Sequence, residues 1–197
     1  MPSGTIWAKY NIGADIDHLD TPIAWYGKYY AWGELEPNKP EGYKWENYKW
    51  VEKDGKIVFD NGKAVLSKYN VNTPSFNNTK KIPDNLSQLE PEDDIAYIQT
   101  NGEMRIPTKQ ECEELLKNTE YSYISHYKNI AGLNGFIFKS LINGNELFIP
   151  CAGYKHTYNS NSANTYTSEV GEQLCIWTST PKKDSDEAYS LSLSRKA

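Results

Sequence analysis

Sulfur, histidine and long apolar runs are all scarce in this sequence. Its 197 residues hold three cysteines, two methionines and three histidines. Apolar stretches such as Leu147-Phe148-Ile149 fall far short of the roughly 20 residues that cross a bilayer, so no spanning helix is expected. Cations are not in excess: 21 Lys and Arg stand against 26 Asp and Glu, a net charge of −5. Lys80-Lys81 and Lys182-Lys183 are the only adjacent lysine pairs. Phosphate contacts need clustered cations, so the composition argues against a nucleic-acid binder. Met1 is followed by Pro2-Ser3-Gly4 and not by a basic stretch and an apolar run, so no signal peptide is read. The expectation is a chain cytosolic at synthesis, as a phage protein is, or one whose signal has been removed.

The cysteines, Cys112, Cys151 and Cys175, are an odd number, so at least one thiol is free or pairs between chains. Cys112 falls on a predicted helix and the other two on predicted strands, where each reads as a small buried hydrophobe. A Cys151–Cys175 bridge stays open. His18, His126 and His156 are isolated and lack a spacing such as H-x-x-x-H, so neither a metal site nor a Ser-His-Asp arrangement is read from them. No catalytic centre is expected.

What the chain has in quantity is tyrosine and tryptophan: fifteen and six, beside five phenylalanines. Both carry a polar tip on an apolar ring, which suits half-buried strand positions and contact surfaces. Mean hydropathy is −0.73, so the surface is wet. The length fits a single domain able to bury a core without a disulfide or metal.

Along the chain, Thr5 to Ile12 and Trp25 to Trp32 mix aromatic and β-branched residues and read as strands, with a loop over 15–22. From about 37 to 85 the sequence is polar and rich in Pro, Gly and Asn, a loop-rich insertion with turn signals at Asp54-Gly55 and Asn61-Gly62. The first of these, beside Lys56-Ile57-Val58-Phe59, predicts a small hairpin. Pro91-Glu92-Asp93-Asp94 opens a short helix running to Gln99, its acids in the first turn where the dipole favours them. Thr108-Lys109-Gln110-Glu111 is a capping box opening a second, with Cys112, Leu115 and Leu116 as its apolar face and Glu113–Lys117 at i,i+4. After Asn118 the pattern is β: Tyr121 to Tyr127, then Phe136 to Ile142 and Glu146 to Tyr154 around Asn143-Gly144, then Leu174 to Thr178 and Ala188 to Leu193. Helices early and antiparallel strands late predict an α+β class.

Two acidic groups, Glu90/Glu92/Asp93/Asp94 and Asp15/Asp17/Asp20, have the hard oxygens that Ca²⁺ takes. Helix capping and a solvated loop account for them, and Ca²⁺ is kept as an option beside no cofactor. Lys155 to Gly171 reads as a long Ser/Thr/Asn/Tyr loop. Tyr154, His156, Tyr158, Asn159, Asn161, Asn164 and Tyr166 supply flat rings and adaptable hydrogen bonds, the palette of recognition loops. These seven are the candidate ligand-binding residues.

One set of motifs runs the length of the chain. Pro2-Ser3-Gly4-Thr5-x-Trp7-Ala8-x-x-Asn11-x-Gly13-Ala14 is followed by Tyr26-Gly27-x-Tyr29-x-Ala31-Trp32-Gly33-Glu34, Trp45-Glu46-x-Tyr48-Lys49-Trp50 and Ser67-Lys68-Tyr69-Asn70. Glu92-Asp93-Asp94-x-Ala96, Arg105-Ile106-Pro107-Thr108, Asn134-Gly135, Ile149-Pro150-x-Ala152-Gly153-Tyr154 and Trp177-Thr178-Ser179 continue it. In this order the motifs resemble the Fibrobacter succinogenes major paralogous domain family, found in Bacteroidetes-type bacteria and their phages. Arg105-Ile106-Pro107-Thr108-x-x-Glu111 also resembles a signature of the formylglycine-generating sulfatase-modifying factors. Both resemblances imply a C-type-lectin-like fold: two short helices and a mostly antiparallel twisted sheet with long loops. Tyr10 stands where family members often have Cys, which argues against a family disulfide; the absence of the family's closing Gly-x-x-Val-Arg segment, with the abrupt start at Pro2, reads as a module clipped at both ends from a longer protein. The role implied is a surface or virion recognition module, extracellular, binding a glycan or host-surface protein. A structural or decoration module is the alternative, and a formylglycine-type oxidase ranks below both.

Overall fold

The computed structural model describes residues 1–37, 42–51, 59–60, 63–70, 84–157, 165–183 and 185–196. Its helices are short: α1 Pro22–Tyr26, α2 Ile95–Gln99 and α3 Lys109–Lys117. Its strands pair antiparallel throughout. β1 (Phe59–Asp60) pairs with β2 (Lys63–Ala64); β3 (Thr119–Ile124), β4 (Gly135–Ser140) and β5 (Glu146–Pro150) form a three-stranded sheet; β6 (Tyr154–Thr157) pairs with β7 (Thr165–Ser168), and β8 (Gln173–Pro181) with β9 (Ala188–Ser194). Few helices with antiparallel sheets is the mixed class that the sequence pattern predicts.

The capping box forms as read. Thr108 accepts from the Glu111 amide at 3.2 Å, and the Glu111 carboxylate accepts from the Thr108 amide at 2.8 Å. Cys112 and Leu115 are then buried, and the ion-pair partner of Glu113 is Lys109, at 3.4 Å, not Lys117. The acidic opening is split in two: a 3-10 turn over Pro91–Asp93, then α2. Asp94 is the N-cap of α2, accepting from the Ala96 and Tyr97 amides at 2.9 and 3.1 Å.

The β3–β4–β5 sheet is covered on both faces, because strand residues alternate sides. Phe136 and Phe138 on β4, with Ile149 opposite Phe136 on β5, join Cys112 and Leu115 of α3 and Leu174 and Leu191 of the β8–β9 ribbon in the largest core cluster. Ile137 and its cross-strand partner Phe148 point the other way, against Trp25 of α1 and Leu133. A third cluster gathers Trp32, Trp50, Leu66, Tyr69 and Ala188, so the polar segment after Pro37 contributes its own aromatic packing. Gly135 is required where β4 meets β5, since a Cβ there would lie 2.4 Å from the Ile149 carbonyl.

Several expected strands are corrected. Residues 5–12 form no strand. Trp7 packs on the main core and Tyr10 on Trp25, so their rings go to two clusters instead of lining one sheet. Residues 25–32 open inside α1, which has Pro22 at its start and ends at Gly27, and continue irregularly to one bridge, Tyr30–Pro37. The hairpin expected at Asp54-Gly55 lies outside the described residues apart from Phe59, and the pairing observed is β1 with β2 across Asn61-Gly62. The strands around Asn143-Gly144 stop at Ser140 and Pro150, short of the expected Ile142 and Tyr154, and β3 ends at Ile124 ahead of a 3-10 turn at Tyr127–Asn129. Where a loop was expected over 155–171, the described residues hold two paired strands, β6 and β7. Periodicity failed to show them because a two-stranded ribbon with polar residues on both faces has no apolar alternation to read.

Candidate functional site

The β6–β7 hairpin is a two-faced ribbon. Register places His156 opposite Tyr166 and Tyr154 opposite Ser168, so these four share one face, while Lys155, Thr157, Thr165 and Thr167 share the other. Part of the second face packs on the chain, while Thr167 on it stays exposed. Thr157 accepts from the Tyr43 amide through its hydroxyl at 2.7 Å, and the Lys155 ammonium lies 5.6 Å from the centre of the Tyr29 ring. The first face looks out. Tyr154 and Tyr166 are 39% and 47% exposed, and their rings stand 5.6 and 6.2 Å from the His156 imidazole between them. His156 Nε2 is held by the Ser168 hydroxyl at 2.8 Å, which fixes the central ring.

The base of the ribbon is set by backbone. Gly153 has φ 66, and a Cβ there would fall 2.0 Å from the Ser168 carbonyl, so only glycine lets β6 start against β7. Its amide donates to the Gln173 carbonyl at 2.9 Å, and the Gly171 amide donates to the Cys151 carbonyl at 2.7 Å, joining the ribbon to β8. Consecutive tyrosines brace the same region: Tyr29 donates to the Ala152 carbonyl at 2.7 Å, and the Tyr30 carbonyl accepts from the Trp177 indole at 3.1 Å. A broad cleft beside these braces is lined by Tyr29, Tyr30, Tyr43, Tyr154, His156 and Trp177, among others. Burial raises the Tyr29 hydroxyl and, with Glu34 beside it, pushes Tyr43 up to about 12, so both stay protonated at neutral pH.

Of the seven sequence-predicted residues, Tyr154, His156 and Tyr166 are brought together on one outward face. Tyr158, Asn159, Asn161 and Asn164 lie in 158–164, outside the described residues. Trp177, at 41% exposed, was not among the predicted site residues. Its signal was present as the single aromatic in a strand facing the run Ser190-Leu191-Ser192-Leu193-Ser194.

The acidic groups are engaged locally. The Lys68 ammonium sits 2.5 Å from Glu90, 2.6 Å from Asp93 and 3.6 Å from Glu92, so a lysine fills the space among the three carboxylates that a calcium ion would take. Asp93, only 3% exposed, also accepts from Lys49 and from the Tyr69 hydroxyl, each at 2.6 Å. Burial opposes the Asp93 charge, but the two lysines and Tyr69 outweigh it and hold the carboxyl below its usual range. Asp15 lies 3.1 Å from His18. Nothing in this geometry favours a metal over the lysine.

All three thiols are free, so the Cys151–Cys175 bridge left open by the sequence is not formed. Burial pushes Cys112 and Cys151 up to about 12 and raises Cys175. A nucleophilic or redox-active cysteine needs the opposite shift.

Comparison with protein-family models, curated proteins and solved structures returned no match. No helix among the described residues is long and apolar enough to cross a membrane.

Proposed function

We propose that this chain is a non-catalytic recognition module that binds its ligand across the outward aromatic face of the β6–β7 hairpin. The observation that carries the reading is the set Tyr154–His156–Tyr166. Three rings lie side by side on a ribbon whose other face is anchored, with the central ring held by Ser168 and the outer two open to solvent. Tyrosine supplies large contact area with few rotatable bonds, so little entropy is lost when a partner settles on it. The ligand is a glycan or a host-surface protein, and the setting is a bacterial surface or a phage virion. The motifs quoted for the paralogous-domain family support that setting and a C-type-lectin-like fold. The raised thiols count against the oxidase alternative.

The test is binding to a glycan array and to host-surface protein extracts, with Tyr154→Ala/Tyr166→Ala alongside the parent chain. Saturable binding that the double variant loses supports the reading. Binding that survives the double substitution sinks it, and silence on both panels favours a structural module.

A further inference from the structure

The β8–β9 ribbon has a face that the core does not use. Register pairs Leu174 with Leu193 and Ile176 with Leu191, and these four turn to the core. The alternate residues turn the other way: Gln173, Cys175 and Trp177 on β8, facing Ser194, Ser192 and Ser190 on β9. Trp177, 41% exposed, is the one large ring on that face, directly opposite Ser190. Its indole N–H is already donated to the Tyr30 carbonyl at 3.1 Å, which fixes the ring while leaving its surface open. Gln173 reaches across to the Ser192 hydroxyl at 2.7 Å.

The charge pattern of the ribbon is as informative as the ring. Lys182 pairs with Glu187 at 2.6 Å at its turn end, and Arg195 with Glu172 at 3.0 Å at its other end. Between these two closed pairs the ribbon's own outward residues carry hydroxyl, amide, thiol and indole groups, with no carboxylate and no ammonium among them. A charged peptide or a nucleic acid finds no counter-charge on the ribbon itself. A ligand with a flat C–H face and neutral hydroxyls matches it: the C–H face stacks on the indole, and the hydroxyls meet serine hydroxyls and the glutamine amide.

We propose that the outward face of β8–β9, centred on Trp177 with Ser190, Ser192 and Gln173, is a stacking subsite for a neutral saccharide. It deepens the recognition reading and rests on it. The Gly153–Gln173 backbone bond and the Tyr29-Tyr30 brace join this face to the β6–β7 hairpin, so one oligosaccharide chain engages both.

Affinity electrophoresis of the full chain through gels containing neutral polysaccharides (dextran, a mixed-linkage β-glucan, a galactomannan, an arabinoxylan) tests this. Trp177→Ala, Trp177→Phe, Ser190→Ala and Tyr154→Ala/Tyr166→Ala are run beside the parent chain, with thermal melts confirming that each is folded. Retardation by at least one polymer, weakened about tenfold by Trp177→Ala and much less by Trp177→Phe, is the expected result. Binding should also be indifferent to salt between 50 and 500 mM, since no ion pair forms. Retardation that Tyr154→Ala/Tyr166→Ala abolishes but Trp177→Ala leaves intact overturns the subsite and spares the recognition reading. Loss by neither variant overturns both, and steep salt dependence overturns the neutral-ligand assignment.

Discussion

Two parts of the molecule are held together by different physics. Around α3 and the β3–β4–β5 sheet, stability comes from apolar side chains buried almost completely. Leu115, Leu133 and Leu174 have no exposed surface and Phe138 has 1%. Around Tyr69, the segments 42–51, 63–70 and 84–94 meet at a carboxylate: Asp93 gathers Lys49, Lys68 and Tyr69 beneath Trp32 and Trp50, whose rings stand edge-on to Tyr69 at 5.0 and 5.4 Å. The first arrangement tolerates conservative change because dispersion and burial are non-directional. The second depends on each partner, since a buried charge without its counter-charges is costly.

The largest effect should come from the first region. Phe138→Ala removes a ring packed against Tyr121 across the strand pair and against the α3 cluster, and should cost about 3–5 kcal/mol in urea unfolding. Asp93→Ala comes next. Lys49 is 40% exposed and Lys68 23%, so both ammonium groups can regain water, and the loss should stay near 2–3 kcal/mol, below what a fully enclosed pair would show. If Asp93→Ala equals or exceeds Phe138→Ala, the carboxylate clamp is the stronger of the two regions.

Acid should separate the regions further. Hydrogen bonds from Arg105, 2.7 and 2.8 Å long, hold the Glu111 carboxyl down to about 2 from an ordinary 4.5. A carboxyl whose folded value is depressed stabilises the fold above its unfolded value and loses that contribution as pH falls toward the folded one. The window is therefore about 4.5 down to about 2. Arg105 is half exposed, so the stake is about 1–2 kcal/mol and not the full shift. Asp93 shifts in the same direction, so Glu111→Gln should flatten part of the acid loss and leave the part due to Asp93. Thr108→Ala, which removes only the hydroxyl half of the capping box, should cost about 1 kcal/mol with an unchanged denaturant slope.

This contrast also marks what the sequence could reveal. The capping box, α3 with Cys112 and Leu115 inward, and the presence of two closing strands at β8 and β9 all rest on local periodicity or local hydrogen bonds, and these were legible. Asp93 was read only as a first-turn acid. Its partners lie 44 and 25 residues away, and nothing local announces a contact that the fold creates. The aromatic strands expected at 5–12 and 25–32 failed for a related reason: Trp7, Tyr10 and Trp25 are placed by the clusters they fill, and tertiary packing overrode β propensity. Within the candidate site, composition picked out Tyr154, His156 and Tyr166, but the hairpin that aligns them depends on a cross-strand register that one polar strand does not encode. Trp177 was hidden inside a strand motif.

The smallest stability effect should fall on the residues with the largest binding effect. Tyr166 is 47% exposed and has His156 opposite it, so Tyr166→Ala should cost about 0.5–1 kcal/mol, the range of a surface cross-strand pair. A tyrosine kept for packing would behave like Phe138 and cost several times as much. If Tyr166→Ala melts within a degree or two of the parent chain yet abolishes ligand capture, the outward rings of β6–β7 are there for the partner. A loss of several kcal/mol would instead place Tyr166 with the core clusters and remove the hairpin face as the contact surface.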